Sequence, residues 1–165
     1  MPESINIISS LTKEEKYKSL LPQIVELVRD ETDLITNLAQ ICAALKYGFF
    51  PDFSWVGFYF RRGDELVLGP FQGPVACSRI KIPQGVCGSA VQRKETIIVA
   101  DVDKFPGHIA CSSESKSEIV TPIFYGETVI AVLDIDSDKY SNFDETDKLY
   151  IEKLCRLVSE LMSQI

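Results

Sequence analysis

The sequence predicts an α+β fold: a mostly antiparallel sheet of about six strands with helices packed mainly on one face. Two segments with helical apolar spacing come first, over 12–48. Short β-branched and aromatic runs separated by turn residues follow over 53–136, and one more helical stripe occupies 143–163. Helices grouped before and after a run of strands are the α+β pattern. At 165 residues the chain is expected to be a single domain over 1–165, long enough to bury about 70% of its unfolded surface without disulfide staples.

Each element has a local reason. Thr12-Lys13-Glu14-Glu15 is a capping-box pattern that starts a first helix. Tyr17, Leu20, Leu21, Ile24, Val25 and Val28 give it an inner stripe, and Pro22 should bend or split it. Asp33 caps a second helix with Leu34, Leu38, Ile41, Cys42 and Leu45 inward, and Gly48 ends it. Phe53 to Arg61 is aromatic and β-branched and reads as a strand in which Phe53, Trp55, Gly57 and Tyr59 share a face. Glu65 to Leu68, Arg79 to Ile82 and Thr96 to Val99 are further short strands, with a short helix at Gly85 to Arg93. Residues 101–116 form a long polar loop, a length that usually carries function. Glu118 to Tyr125 and Thr128 to Ile135 flank a Gly126-Glu127 turn and read as a hairpin. Asn142 or Asp144 caps the last helix, whose stripe is Leu149, Ile151, Leu154, Cys155, Val158 and Leu161.

Composition narrows the class. Apolar content is 45%, charged content 25%, and the net charge is −7 with a pI near 4.8. An acidic chain whose longest basic run is Arg61-Arg62 is a poor match for nucleic acid or an anionic membrane. No apolar run approaches the ~18 residues of a spanning helix, and Met1-Pro2-Glu3-Ser4 opens no signal peptide. The expected location is the cytoplasm, where five cysteines should rest as thiols.

Two features point to chemistry. In the last strand, Val129, Ala131, Leu133 and Ile135 face one way, and Thr128, Ile130, Val132, Asp134 and Asp136 the other. Two carboxylates about 7 Å apart on one face either reach water at the strand end or call for a cation or a proton. Glu118 starts the partner strand. With a two-residue turn it pairs opposite Ile135, on the wrong face to join Asp134. Convergence of the three acids requires a register shift through a longer loop or a bulge. Trp55, the single tryptophan, is either core or an indole wall beside those acids, suited to an ammonium or a polarisable sulfur group.

The second feature is the set of Cys77, Cys87 and Cys111, within 35 residues and in glycine- and proline-marked stretches. Such positions suggest accessible thiols rather than packing, whereas Cys42 and Cys155 lie on apolar helix faces. Zinc bound by Cys77, Cys87, Cys111 and His108 is one reading, but nine and twenty-three residues separate the cysteines, unlike the close pairs of structural sites. No metal and no cofactor is therefore expected. A redox thiol is the other reading. His108, three residues before Cys111, can favour its thiolate, and a second cysteine can convert a sulfenic acid to a disulfide. Spacing does not choose between Cys77 and Cys87 for that role.

Six stretches in order then match a known pattern: Ser54-Trp55-Val56-Gly57-Phe58-Tyr59, Gly73-Pro74-Val75-Ala76-Cys77, Gly85-Val86-Cys87-Gly88, Phe105-Pro106-Gly107-His108-Ile109-Ala110-Cys111, Ser117-Glu118-Ile119-Val120 and Leu133-Asp134-Ile135-Asp136-Ser137. Together they closely resemble free methionine-(R)-sulfoxide reductases, which are GAF-domain enzymes, over about residues 12–162. The resemblance implies reduction of the R epimer of free methionine sulfoxide, with thioredoxin as reductant. It implies Cys111 as nucleophile, Cys77 as resolving cysteine and Cys87 as an auxiliary thiol. Trp55 and Tyr59 would line the methyl-sulfoxide pocket, and Glu118, Asp134 and Asp136 would bind the polar parts of the substrate. It also suggests a homodimer through the helical face. The rival reading is a GAF small-molecule or redox-sensing module without turnover.

Overall fold

The computed structural model describes residues 4–109 and 114–163. Strands β1 (Trp55–Arg62), β2 (Glu65–Gln72), β3 (Arg79–Lys81), β4 (Ile97–Val99), β5 (Ser117–Tyr125) and β6 (Thr128–Ser137) form one sheet in the order β3-β2-β1-β6-β5-β4. Every pairing in it is antiparallel. Helices α1 (Lys13–Val28), α2 (Leu34–Gly48) and α4 (Glu145–Ser163) share one apolar cluster with one face of the sheet. The short helix α3 (Gly85–Arg93) packs on the other face. The architecture is the α+β arrangement expected, with two cores separated by the sheet.

The helices begin where their caps say. Thr12 and Glu15 form the capping box of α1, and Asp33 accepts from the Thr36 N–H at the start of α2. Asp144, not Asn142, caps α4, accepting from the N–H groups of Thr146 and Asp147 at 2.8 and 3.3 Å. Pro22 does not split α1, which runs unbroken for 16 residues. Pro22 is exposed, and its missing N–H leaves the Lys18 carbonyl without its helical donor. The buried stripes are narrower than expected. Val25 and Leu149 stand 43% and 48% exposed, and Tyr150 takes the inward position on α4, stacked on Tyr17 with ring centroids 5.1 Å apart. A buried polar clasp ties α1 to α4: Lys13 Nζ meets Asp147 Oδ2 at 2.6 Å, and the Tyr17 hydroxyl donates to Asp147 Oδ1 at 2.7 Å.

The sheet positions the site through its register. The turn is two residues long, pairing Tyr125 with Thr128, but pairing jumps between Ile123/Ala131 and Phe124/Val129. Ile130 is the extra residue of a β-bulge. Ile130 and Ala131 both turn to the helix side, and Val129 joins Val132 on the other. Val129 and Ile130 therefore both depart from the alternation expected of them. From the bulge onward the register is shifted by one, so Glu118 stands opposite Asp136 and Val120 opposite Asp134. Across the other edge of β6, Trp55 pairs with Asp136 and Gly57 with Asp134. Phe53 precedes β1 and packs in the helix-side core, not beside Trp55.

A candidate active site on the open face of the sheet

Glu118, Asp134 and Asp136 share the face opposite the three long helices, as the bulge requires. They line a cleft together with Trp55, Tyr59, Cys87 and His108. The strands contribute Trp55, Tyr59 and the acids; α3 contributes Cys87. The loops 73–77 and 105–109 close the sides through Val75, Ala76, His108 and Ile109.

Trp55 and Tyr59 form an aromatic wall with ring centroids 6.1 Å apart, and Phe71 stacks on the indole at 5.4 Å. Both also anchor the loop that carries Cys77. The Trp55 indole N–H donates to the Pro74 carbonyl at 3.0 Å, and the Tyr59 hydroxyl donates to the Cys77 carbonyl at 2.9 Å. Gly73 lets the loop pass this close: its φ is +140°, and a Cβ there would sit 2.6 Å from Trp55 Cδ1.

The acids are held against their usual ionisation. Glu118 and Asp134 are 6% and 7% exposed. Burial pushes Glu118 well above the carboxylate range, and the charges of Asp134 and Asp136 push further. Burial raises Asp134 to about 6, opposed by hydrogen bonds from Cys87 and Glu118. Burial also raises Asp136, whose carboxylate is bonded by Ser115. The hydrogen bonds that Asp134 accepts favour charge on it over charge on Glu118. Among the described residues, Asp134 Oδ1 is buried without a hydrogen-bond partner. An orphaned carboxylate oxygen in a cleft is suited to a cationic donor.

The cysteines divide differently from their loop-like sequence setting. Cys87 is inside α3, 3% exposed, and burial with the nearby Asp134 and Glu118 charges holds its thiol well above normal. Cys77 is half-buried and disulfide-bonded, whereas Cys42, Cys87 and Cys155 are free thiols. Cys111 lies outside the described residues. Sulfur of Cys87 and one oxygen each of Glu118 and Asp134 lie within 4.8 Å of one another, a set able to hold a metal ion; it shares only Cys87 with the zinc ligands weighed from sequence. Phe71 and Ser115 were missed from sequence. Ser115 carries no signal beyond a serine-rich loop, and Phe71 follows Gly69-Pro70, where the strand was expected already to have ended.

Comparison with known proteins identifies the family. A family model described as GAF domain matches residues 28–163. The chain is 55% identical over 152 residues to GAF domain-containing protein A of Dictyostelium discoideum, covering 92% of this chain and 95% of that protein. It is 41% identical to the free methionine-R-sulfoxide reductase of Saccharomyces cerevisiae, with 96% and 92% covered. The X-ray structure of free methionine-R-sulfoxide reductase from Neisseria meningitidis in complex with its substrate superposes with a TM-score of 0.92 at 47% identity, covering 97% of this chain and 96% of that one. With a matching fold, near-full coverage and such identity, the chain belongs to the free methionine-R-sulfoxide reductase family of GAF domains.

Proposed function

We propose that this protein reduces free L-methionine (R)-S-oxide to methionine through a thiolate, sulfenic acid and disulfide cycle, with electrons from thioredoxin. The observation that carries the reading is the cleft itself: an aromatic wall faces buried acids, one of which has an orphaned oxygen. The wall suits a methyl sulfoxide. Asp134 suits the substrate ammonium, and Asp136 adds a second acceptor at the rim. A residue within a peptide has an uncharged amide nitrogen and forfeits that pairing.

The chemistry needs a nucleophile and an acid. The Cys111 thiolate attacks the sulfoxide sulfur, forming an S–S bond, while Glu118 gives its proton to the oxygen. The hydroxyl then passes to the Cys111 sulfur as the S–O and S–S bonds to the substrate break, so methionine departs and Cys111 is left as sulfenic acid. The Cys77 thiol condenses with it, releasing water and forming the Cys77–Cys111 disulfide. A dithiol such as that of thioredoxin then returns both sulfurs to thiols. The burial of Cys87 and its bond to Asp134 favour Cys77 over Cys87 as the resolving partner.

The test is turnover on the separated free epimers. The R epimer is reduced and the S epimer is not. Cys111→Ser abolishes the reaction, whereas Cys77→Ser releases one methionine per enzyme and loses thioredoxin-supported cycling. Binding of methionine sulfoxide without reduction would instead mark a sensing module.

A further inference from the structure

The cycle above leaves the free Cys87 thiol without a chemical step. We propose that the reduced protein also binds a borderline-soft divalent cation of the Zn²⁺ class at Cys87, Glu118 and Asp134, and that the bound ion blocks the cleft. The blocking half rests on the function proposed above; the binding half does not.

Three elements bring the ligand atoms together: α3 supplies the sulfur, β5 and β6 one oxygen each, all within 4.8 Å of one another. Tetrahedral zinc, with Zn–S of about 2.3 Å and Zn–O of about 2.0–2.2 Å, sets ligand atoms roughly 3.3–3.7 Å apart. Small side-chain adjustments close that difference. The three residues are 3%, 6% and 7% exposed, yet all line the cleft. The fourth position of the ion therefore opens toward the substrate volume.

A second observation is Asp134 Oδ1, buried and unpartnered among the described residues, an oxygen for which a cation and the substrate ammonium would compete. The donor set selects the ion: one sulfur and two oxygens suit zinc, cadmium or cobalt, while magnesium and calcium require more oxygen ligands.

The experiment titrates the whole reduced protein, kept in a phosphine reductant that does not compete for the ion as a dithiol would. Co²⁺ is expected to bind once per chain with a thiolate-to-cobalt charge-transfer band, and Zn²⁺ to displace it. Cys87→Ser removes the band. Asp134→Asn keeps the thiol but weakens Zn²⁺ binding by about tenfold or more, the loss that even an outer-shell partner causes. Mg²⁺ and Ca²⁺ have no effect. In turnover, Zn²⁺ raises KM for the sulfoxide and leaves kcat unchanged. A band that survives in Cys87→Ser and vanishes in Cys77→Ser or Cys111→Ser puts the ion on other thiols and overturns the site. So does a failure of Co²⁺ and Zn²⁺ to bind. Zinc bound at Cys87 with an unchanged KM overturns the blocking half alone. Metal binding without sulfoxide turnover sinks the reductase reading and leaves the site standing; turnover without metal binding does the reverse.

Discussion

At the scale of single residues, the site depends on two neighbouring acids ending up in opposite protonation states. Burial raises both, but Asp134 receives hydrogen bonds from Cys87 and Glu118, so it ionises first, near 6. That ordering gives one acid a binding role and the other a proton to donate, the separation of roles expected of paired carboxylates. Below about pH 6 Asp134 is neutral and no longer attracts the substrate ammonium. The expected outcome is a kcat/KM that falls on the acid side of that value, measured on the free R epimer. Asp134→Asn flattens that limb and lowers kcat/KM by about 10²-fold, the scale of a lost buried charge pair. Glu118→Gln lowers kcat by about 10²-fold or more, as removal of a general acid does; an unchanged kcat would move the proton elsewhere. The acids themselves were legible in the sequence, because Asp134 and Asp136 break an otherwise apolar strand. Their protonation order was not, since it depends on which groups surround each of them.

At the scale of elements, the site is assembled by devices that residue types do not announce. The strands and the hairpin turn followed from β-branched runs and Gly126-Glu127. The bulge did not, because Ile130 looks like any other apolar strand residue and an extra position leaves no compositional mark. Yet the bulge alone puts Glu118 opposite Asp136 instead of Ile135. The aromatic wall shows the same limit. Trp55 and Tyr59 are visible as one face of a strand, but their grip on the Cys77 loop depends on how that loop folds back over them. Gly57, between them, is where the indole lies down. A Cβ there would come within 2.2 Å of Trp55 Cη2 and 2.6 Å of Phe71 Cβ. Gly57→Ala should therefore displace both the indole and the β2 backbone at Phe71. We expect a stability loss of about 1–3 kcal/mol, as for other overpacked sites, together with a raised KM and an altered Trp55 emission. Retention of wild-type KM with unshifted emission would mean that the ring has room to move aside.

At the scale of the whole molecule, the sheet separates a helix-side core from a cleft-side core that also buries acids. The helix side is mostly apolar and is clasped by the Lys13–Asp147–Tyr17 network. The cleft side holds three acids whose burial disfavours their charge. The sign of the resulting pH dependence follows from proton counts. A carboxyl with a raised folded pKa binds more protons folded than unfolded between its two pKa values, so stability falls as pH rises through that window. For Asp134 the window runs from the ordinary value of about 4 to about 6. Glu118 and Asp136 extend it upward. A shift of roughly two units corresponds to at most about 3 kcal/mol, a sizeable share of a domain's net stability. The ligand-free protein should thus lose melting temperature steadily from about pH 4 to about pH 6 by this group alone. Asp134→Asn should flatten that slope and melt higher than the parent at neutral pH, while methionine sulfoxide should restore stability to the parent and much less to the variant. Thermal denaturation of both proteins across that range, with and without the amino acid, measures all of this at once. A parent protein whose melting temperature rises with pH over the window would show that the clefted face is not the strained one, and that Asp134 ionises in the fold as easily as in water.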